Sequence, residues 1–190
     1  MPDFTKREII LQHAARLFHQ KGYPATTMRE LAQNVGVEVS SLYSHIKSKE
    51  ELLVYLCFNN AKKFAEGMEK AEKHAGCASD KIAILISQHL DIALKDGTSA
   101  TVFDNEWKHL SEPQLSSFKQ IRKDYQNRFE AIIKQGIEKK ELAAIEPVWM
   151  MNTIINSIRW VHLRPNILKS TTKCDLHENI IHILMKGIKK

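Results

Sequence analysis

Apolar residues recur at spacings of three and four along almost the whole chain, and no stretch alternates between apolar and polar positions as a half-buried strand would. Glycine and proline are sparse, at seven and five residues, and they fall where the periodic segments begin or end. The pattern therefore predicts an all-α protein of about nine helices, without internal repeats or low-complexity tracts.

Three capping boxes mark helix starts in the first part of the chain, because a Ser or Thr followed three residues later by Glu can satisfy free N–H groups of a first turn. The pairs are Thr5 with Glu8, Thr27 with Glu30 and Ser48 with Glu51. They predict a first helix after Thr5, a short helix ended by Gly36, and a long helix from Ser48 towards Gly76. Another short helix is expected over 40–46.

Five more helices are predicted, at about 79–95, 98–110, 113–140, 147–163 and 175–188. Gly97 is expected to form a left-handed cap at the end of one of them. Pro113 and Pro147 suit positions in first turns, where the missing N–H has no helical partner.

Charge and cysteine content narrow the class of protein. The 190 residues carry a net charge of +6 and are 43% hydrophobic, which allows a small module and a larger domain with its own core. The first 63 residues hold nine Lys/Arg against six Asp/Glu, so charge alone does not locate a binding face. Three separated cysteines, no signal sequence and no long apolar run predict a cytoplasmic protein without disulfides or contact with a membrane.

Residues 27 to 46 form a pattern of two short helices joined at Gly36, which tolerates the positive φ of a tight turn. Their inward positions are Leu31, Ala32, Val35, Val37, Leu42 and Ile46. Their outward positions are Val39, Ser40, Ser41, Tyr43, Ser44 and His45. Such an outer face suits the major groove of DNA, and Thr27 at a helix N-terminus favours a phosphate. Nearby cations are Arg29, Lys47 and Lys49. The alternative is a helical hairpin that merely has a polar outer side.

Many residues of this region stand at fixed spacings. They run Ile10-x3-Ala14-Ala15-x-Leu17-Phe18-x3-Gly22-Tyr23-x2-Thr26-Thr27-x3-Leu31-Ala32-x3-Gly36-Val37-x4-Leu42-Tyr43-x-His45-Ile46-x-Ser48-Lys49-Glu50-Glu51-Leu52-Leu53. This quarter of the chain resembles the N-terminal domain of TetR-type repressors. The resemblance implies a helix-turn-helix domain over 1–47 and a ligand-binding and dimerisation domain over 48–190, with 48–75 as the connecting helix. It also implies a homodimer on a palindromic, double-stranded DNA operator.

The resemblance assigns roles to single positions. The phosphate-binding positions that it implies are Thr26, Thr27, Tyr43, His45 and Lys49, and the base-reading positions are Val39, Ser40, Ser41 and Ser44. Val39 stands where a basic or small polar residue is common in the family, so its contact is expected to be apolar, for instance with a thymine methyl group.

Two helices near the end of the chain are candidates for dimerisation. The predicted interface residues are Ile155, Ile158, Val161, Ile180, Ile183 and Leu184. The segment 148–161 is apolar nearly all round, so it needs cover on more than one side. Two helices from each subunit would make a four-helix interface, and the alternative is that both helices belong to the core of one chain.

A binding pocket for a small-molecule effector is predicted from aromatic and polar residues spaced one helical turn apart. The predicted ligand-binding residues are Phe103, Trp107, Arg122, Tyr125, Phe129, Asn152 and Asn156. Aromatic pairs at this spacing also occur in ordinary cores. The order of these features resembles TetR-type regulators that sense acyl-CoA thioesters, which implies an amphiphilic effector with Arg122, Arg128 or Arg159 near its phosphates. The alternative is a regulator of an efflux system that responds to lipophilic toxic compounds.

Catalytic chemistry is not predicted. The sequence has no HExxH, GxSxG, P-loop or Gly-rich dinucleotide turn, and His177 and His182 are five residues apart, so they point to different sides of a helix. We therefore predict no catalytic residue, no metal site and no cofactor. An all-α enzyme without a known motif and an adaptor protein that binds other proteins remain as alternatives.

Overall fold

The computed structural model describes residues 5–163 and 171–186, and these residues form nine α-helices and no β-strand element. The helices are α1 (Lys6–Lys21), α2 (Met28–Val35), α3 (Val39–Tyr43), α4 (Lys49–Lys73), α5 (Ala78–Lys95), α6 (Gly97–Asn105), α7 (Gln114–Glu138), α8 (Pro147–Arg159) and α9 (Lys173–Lys186). Short 3-10 helices follow α6 (Trp107–His109) and α8 (Trp160–Leu163). The predicted all-α class is confirmed.

The helices begin where the capping boxes predicted, although only the first box closes in both directions. Thr5 Oγ1 accepts from the Glu8 N–H and the Glu8 carboxylate accepts from the Thr5 N–H. Thr27 Oγ1 accepts from the Glu30 N–H at 3.2 Å, but the Glu30 carboxylate pairs with Lys21 instead of returning to Thr27. A cap that accepts one N–H is thus sufficient to place a helix start here.

The third cap follows the same one-way pattern. Ser48 Oγ accepts from the Glu51 N–H at 3.1 Å. The Glu51 carboxylate accepts from the Lys47 N–H and from Arg7, which lowers the pKa of Glu51, the Lys47 bond being the largest cause.

The prediction of a left-handed cap at Gly97 is wrong. Gly97 is the first residue of α6, and Asp96, with φ −154°, ends α5. The glycine is explained by close packing, because a Cβ at Gly97 would lie 3.0 Å from the carbonyl oxygen of His162. Two predicted helices are also shorter than expected, since 98–110 and 147–163 each end in a separate 3-10 helix.

The first of two compact units consists of Met1–Ala61 and Thr98–Lys119. Phe118, which is fully buried, packs against Phe58, Phe103 and Trp107 at ring centroid distances of 5.5 to 6.0 Å. The unit therefore contains more than the predicted DNA-binding domain of 1–47, because aromatic packing adds the start of α4 and the segment 98–119.

The second compact unit consists of Lys62–Gly97 and Gln120–Lys190. Its described part is built around one apolar core from α4, α5, α7, α8 and α9. The fully or almost fully buried members include Met68, Ile82, Leu85, Leu90, Phe129, Ile133 and Ile154. Glu141 accepts from the Ala78 N–H at 2.7 Å and so joins the start of α5 to the turn after α7. No described helix combines the length and hydropathy needed to span a bilayer.

Candidate nucleic-acid interface

Helices α2 and α3 form a helix-turn-helix around Gly36. Gly36 has φ +77°, and its N–H and that of Val37 both donate to the Ala32 carbonyl. On the inner side, Leu31, Leu42 and Ile46 are at most 1% exposed. The inward set predicted for this region is thus buried at its central positions, and the glycine supplies the left-handed conformation that the turn needs.

The outer side of α3 is polar and open to solvent. Tyr43 is 50% exposed, and Ser40, Ser44 and His45 are exposed beside it. Val39 and Ser41 are half-buried, and Ser44 Oγ donates to the Ser41 carbonyl at 2.7 Å. Such a face offers hydroxyl and imidazole groups, which can donate and accept hydrogen bonds, next to one apolar side chain.

Exposed cations and a hydroxyl flank this face in the same unit. Arg29 and Lys47 are exposed, and Thr27 is exposed at the N-terminus of α2. The backbone N–H groups of that first turn and the positive end of the helix dipole favour an anion there. The predicted phosphate contact Thr27 and the nearby cations Arg29 and Lys47 are therefore available on the surface.

Two of the predicted phosphate contacts are instead engaged inside the protein. Thr26 is 2% exposed, and its hydroxyl donates to the Gly22 carbonyl at 3.0 Å. Lys49 Nζ donates to the carbonyls of Tyr23, Pro24 and Thr26 at 2.9, 3.3 and 2.8 Å and lies 4.4 Å from the centre of the Tyr23 ring. Burial lowers the pKa of Lys49. These contacts hold the loop between α1 and α2.

Sequence reasoning missed a second set of groups that hold this loop. Glu106 accepts from the Tyr23 N–H at 2.9 Å, and the His109 ring stacks on the Tyr23 ring at 5.7 Å. Glu50 of α4 accepts from the Ser111 N–H at 3.2 Å, which joins the segment 98–119 to the start of α4. The partners are 61 to 86 residues apart in the sequence, so no local sequence pattern predicts these contacts. The segment 98–119 is consequently fastened to the loop that precedes α2.

The residues predicted to bind a ligand are divided between the two units. Phe103 and Trp107 pack against Phe118 in the first unit, whereas Tyr125 and Phe129 meet edge to face at 6.3 Å in the second. Arg122 is half-buried on α7. The prediction of a single pocket containing all of them is not tested by this arrangement.

The two asparagines of α8 are exposed. The side-chain amides of Asn152 and Asn156 each donate to the carbonyl four residues earlier, and Arg159 reaches the Asn156 side chain at 3.4 Å. Arg128, another predicted phosphate partner, forms a two-pronged pair with Glu72. That pair raises the pKa of Arg128 and lowers that of Glu72, in both cases mainly through the side-chain hydrogen bond.

The predicted dimer residues range from fully buried to exposed within the single chain. Ile158 and Val161 are 3% and 2% exposed and belong to the core of the second unit. The half-buried members are Ile155, Ile180 and Leu184. Ile183 is 69% exposed, as is Trp149, and Trp160 is 42% exposed. The exposed apolar surface in this region is thus formed mainly by Trp149, Trp160 and Ile183, and the predicted Ile158 and Val161 do not contribute to it.

Two family models match separate parts of the chain. A model described as bacterial regulatory proteins, tetR family, matches residues 10–56, and one described as tetracyclin repressor-like, C-terminal domain, matches residues 75–163. The first covers the helix-turn-helix, and together they leave only the ends and a stretch of α4 unmatched.

Known proteins resemble most of the chain in sequence or in fold. The fatty acid metabolism regulator protein of Bacillus subtilis strain 168 is 27% identical over 133 residues, which are 70% of this chain and 69% of that protein. The solved structure of the ketosteroid transcriptional regulator KstR2 of Mycobacterium tuberculosis has a TM-score of 0.89 at 22% identity, covering 98% of this chain and 96% of that one. AibR, solved with isovaleryl coenzyme A and operator DNA, has a TM-score of 0.78 at 17% identity, covering 94% and 97%.

Replacing Lys49 by Met is expected to lower the free energy of unfolding by about 1 to 2 kcal/mol, because three loop carbonyls lose their donor in a half-buried site. Lys47→Met removes an equal charge from an exposed neighbour and is expected to change stability by less than about 0.5 kcal/mol. Urea unfolding followed by circular dichroism measures both. Equal stability of the two variants would mean that the Lys49 contacts do not hold the loop.

Proposed function

Because the chain belongs to the TetR family of bacterial regulatory proteins, we propose that it is a ligand-responsive repressor that leaves a palindromic operator when a small amphiphilic effector binds. The single observation that carries the proposal is the helix-turn-helix, whose inner side is buried while the outer side of α3 is exposed to solvent. In such an element, one side packs against its own domain and the other side is available to contact the major groove of DNA.

In this function, α3 lies in the major groove and its flanks bind the backbone. Ser40, Ser41 and Ser44 provide hydroxyls for base edges, and Val39 provides an apolar contact of the kind a thymine methyl accepts. Tyr43 and His45 are assigned to phosphates, together with Arg29 and Lys47. Lys49 and Thr26 act indirectly, since their polar atoms hold the loop that positions α2.

One such domain makes too few base contacts to select a unique site, so operator recognition requires two copies. The outward sides of α8, of the 3-10 helix after it and of α9 support a homodimer, because the large apolar side chains of Trp149, Trp160 and Ile183 are exposed to solvent in the single chain. Two α8–α9 pairs would form a four-helix interface, with half-buried Ile155, Ile180 and Leu184 along its edges.

The effector is proposed to be an acyl-CoA thioester. The B. subtilis relative is named as a regulator of fatty acid metabolism, and the AibR structure holds isovaleryl coenzyme A. The second unit has a large apolar core, and the half-buried Tyr125, which is hydrogen-bonded to His89, packs against it and offers a polar group that a thioester could meet. The coenzyme part, with its phosphates, would remain at the surface.

Release of DNA is proposed to follow from a shift between two populations. Helix α4 begins beside the helix-turn-helix and continues into the second unit, and the segment 98–119, which holds Tyr23, is connected at both ends to second-unit chain. Either connection can move the α3 helices of a dimer apart. A tenfold loss of operator affinity requires only about 1.4 kcal/mol of differential binding.

Tyr43→Ala tests the recognition face. We expect operator affinity to fall at least about tenfold, because both subunits lose a contact worth about 1 kcal/mol or more, with the helical circular dichroism unchanged. The matched control is Tyr55→Ala, which removes an exposed tyrosine from α4. Gel shifts with DNA flanking the gene measure both variants. Unchanged affinity of the Tyr43 variant would show that α3 is not the reading helix.

Trp149→Glu and Ile183→Glu test the dimer. A charge placed twice in a symmetric apolar interface is expected to weaken association by about a hundredfold, so that sedimentation at micromolar concentration shifts from dimer to monomer. Ile145→Glu, at a 40% exposed position before α8, serves as the control and should remain dimeric. A wild-type chain that sediments as a monomer would contradict the proposed interface.

Titrating the protein–operator complex with acyl-CoA thioesters of increasing chain length tests the effector class. A thioester should release the DNA and raise the melting temperature, whereas coenzyme A without an acyl chain should do neither, since it cannot bury apolar surface. Release by a lipophilic cation such as tetraphenylphosphonium instead of a thioester would favour the efflux alternative. No response to any thioester would reject this effector class.

A further inference from the structure

A hydrogen-bonded polar pair lies among the aromatic rings of the second unit. His89 Nε2 of α5 is 2.9 Å from Tyr125 Oη of α7. The Phe64 ring lies 4.5 Å from the His89 ring and 6.0 Å from the Tyr125 ring, and Phe129 closes the other side of Tyr125. The pair thus packs against the aromatic side chains Phe64 of α4 and Phe129 of α7.

Both members of the pair are uncharged at neutral pH. Burial lowers the pKa of His89 to about 4 and raises the pKa of Tyr125 above its ordinary value of 10. Arg128, one turn beyond Tyr125 on α7, is paired with Glu72. The two groups of the pair itself are therefore neutral hydrogen-bonding groups.

The pair holds two protons for hydrogen bonding, one on the imidazole and one on the phenol. Only one of them lies in the bond between the two side chains, so the other remains for an acceptor outside the pair. When an acceptor approaches Tyr125, the His89 N–H can donate to the phenol oxygen and the phenol O–H can donate outward.

The three rings are half-buried, in contrast to the fully buried core residues around them. Ile82, Leu85, Leu90 and Phe129 of the same core have no exposed surface. Phe64, His89 and Tyr125 therefore lie at the edge of this core, where each keeps part of its surface exposed.

We infer that the His89–Tyr125 pair binds an uncharged acceptor oxygen, such as the carbonyl of a ketone, ester or thioester, on an otherwise apolar effector. A carboxylate or phosphate would lose its hydration here, and the two neutral groups of the pair would offer it no opposite charge in return. A molecule with no acceptor would leave the second proton of the pair unused. This inference rests on the proposed ligand-responsive function and specifies which part of the effector is read.

Two isosteric probes, 2-octanone and 2-methyl-1-octene, test the inference because they differ only in having C=O or C=CH2. In Tyr125→Phe, we expect the dissociation constant of 2-octanone to rise about fivefold to tenfold, the worth of one hydrogen bond, and that of the alkene to change less than about twofold. Octanoate should bind the wild-type protein more weakly than 2-octanone. Calorimetry measures all three probes, and Tyr55→Phe is the control.

A second measurement follows the His89 ring directly. Its 15N chemical shifts should indicate a neutral ring from pH 5 to 8. When 2-octanone binds, they should change to those of the tautomer with the proton on Nε2. No such change is expected if the His89–Tyr125 hydrogen bond only stabilises the core. Equal effects of Tyr125→Phe on both probes, or none on either, would overturn the inference. So would a wild-type protein that binds neither probe but still binds its operator, whereas loss of operator binding would count against the proposed function instead.

Discussion

The burial of Leu42 and Ile46 is the interaction on which the recognition surface depends. Helix α3 has five residues, which is too short to persist in water without tertiary support. Its orientation is consequently set by Leu42, which it buries, and by Ile46, which is buried just after it; these leave Tyr43, Ser44 and His45 exposed. A loss of packing beneath α3 would therefore change which groups are presented to DNA, even with every outward residue intact.

The loop before α2 depends on polar contacts rather than on apolar burial. The Lys49 ammonium group satisfies three carbonyls, while Glu106 satisfies the Tyr23 N–H from a distant part of the sequence. Charge-assisted hydrogen bonds of this kind fix a loop without requiring a core. They also make the position of α2 sensitive to the segment 98–119, which gives the proposed effector response a physical connection to the DNA-reading helices.

The sequence allowed the helices to be predicted because their signals are local. Thr5, Thr27 and Ser48 each cap the helix that was expected, and Gly36 has the left-handed conformation that its turn requires. The prediction for Gly97 was wrong because a glycine is needed there for close packing against the backbone of His162, which is 65 residues away. The contacts of Glu106 escaped prediction for the same reason. Local patterns specify helix ends, whereas close approach and long-range hydrogen bonds depend on the assembled fold.

A neutral polar pair beside an apolar core suits the proposed response to a ligand. A net hydrogen bond contributes about 0.5 to 1.5 kcal/mol, and a tenfold change in operator affinity needs about 1.4 kcal/mol. One bond from Tyr125 to an effector, made in only one of two conformations, is therefore comparable to the whole coupling energy that regulation requires. An apolar side chain at the same position would retain the affinity for a hydrocarbon chain but would remove the means of distinguishing an acyl derivative from it.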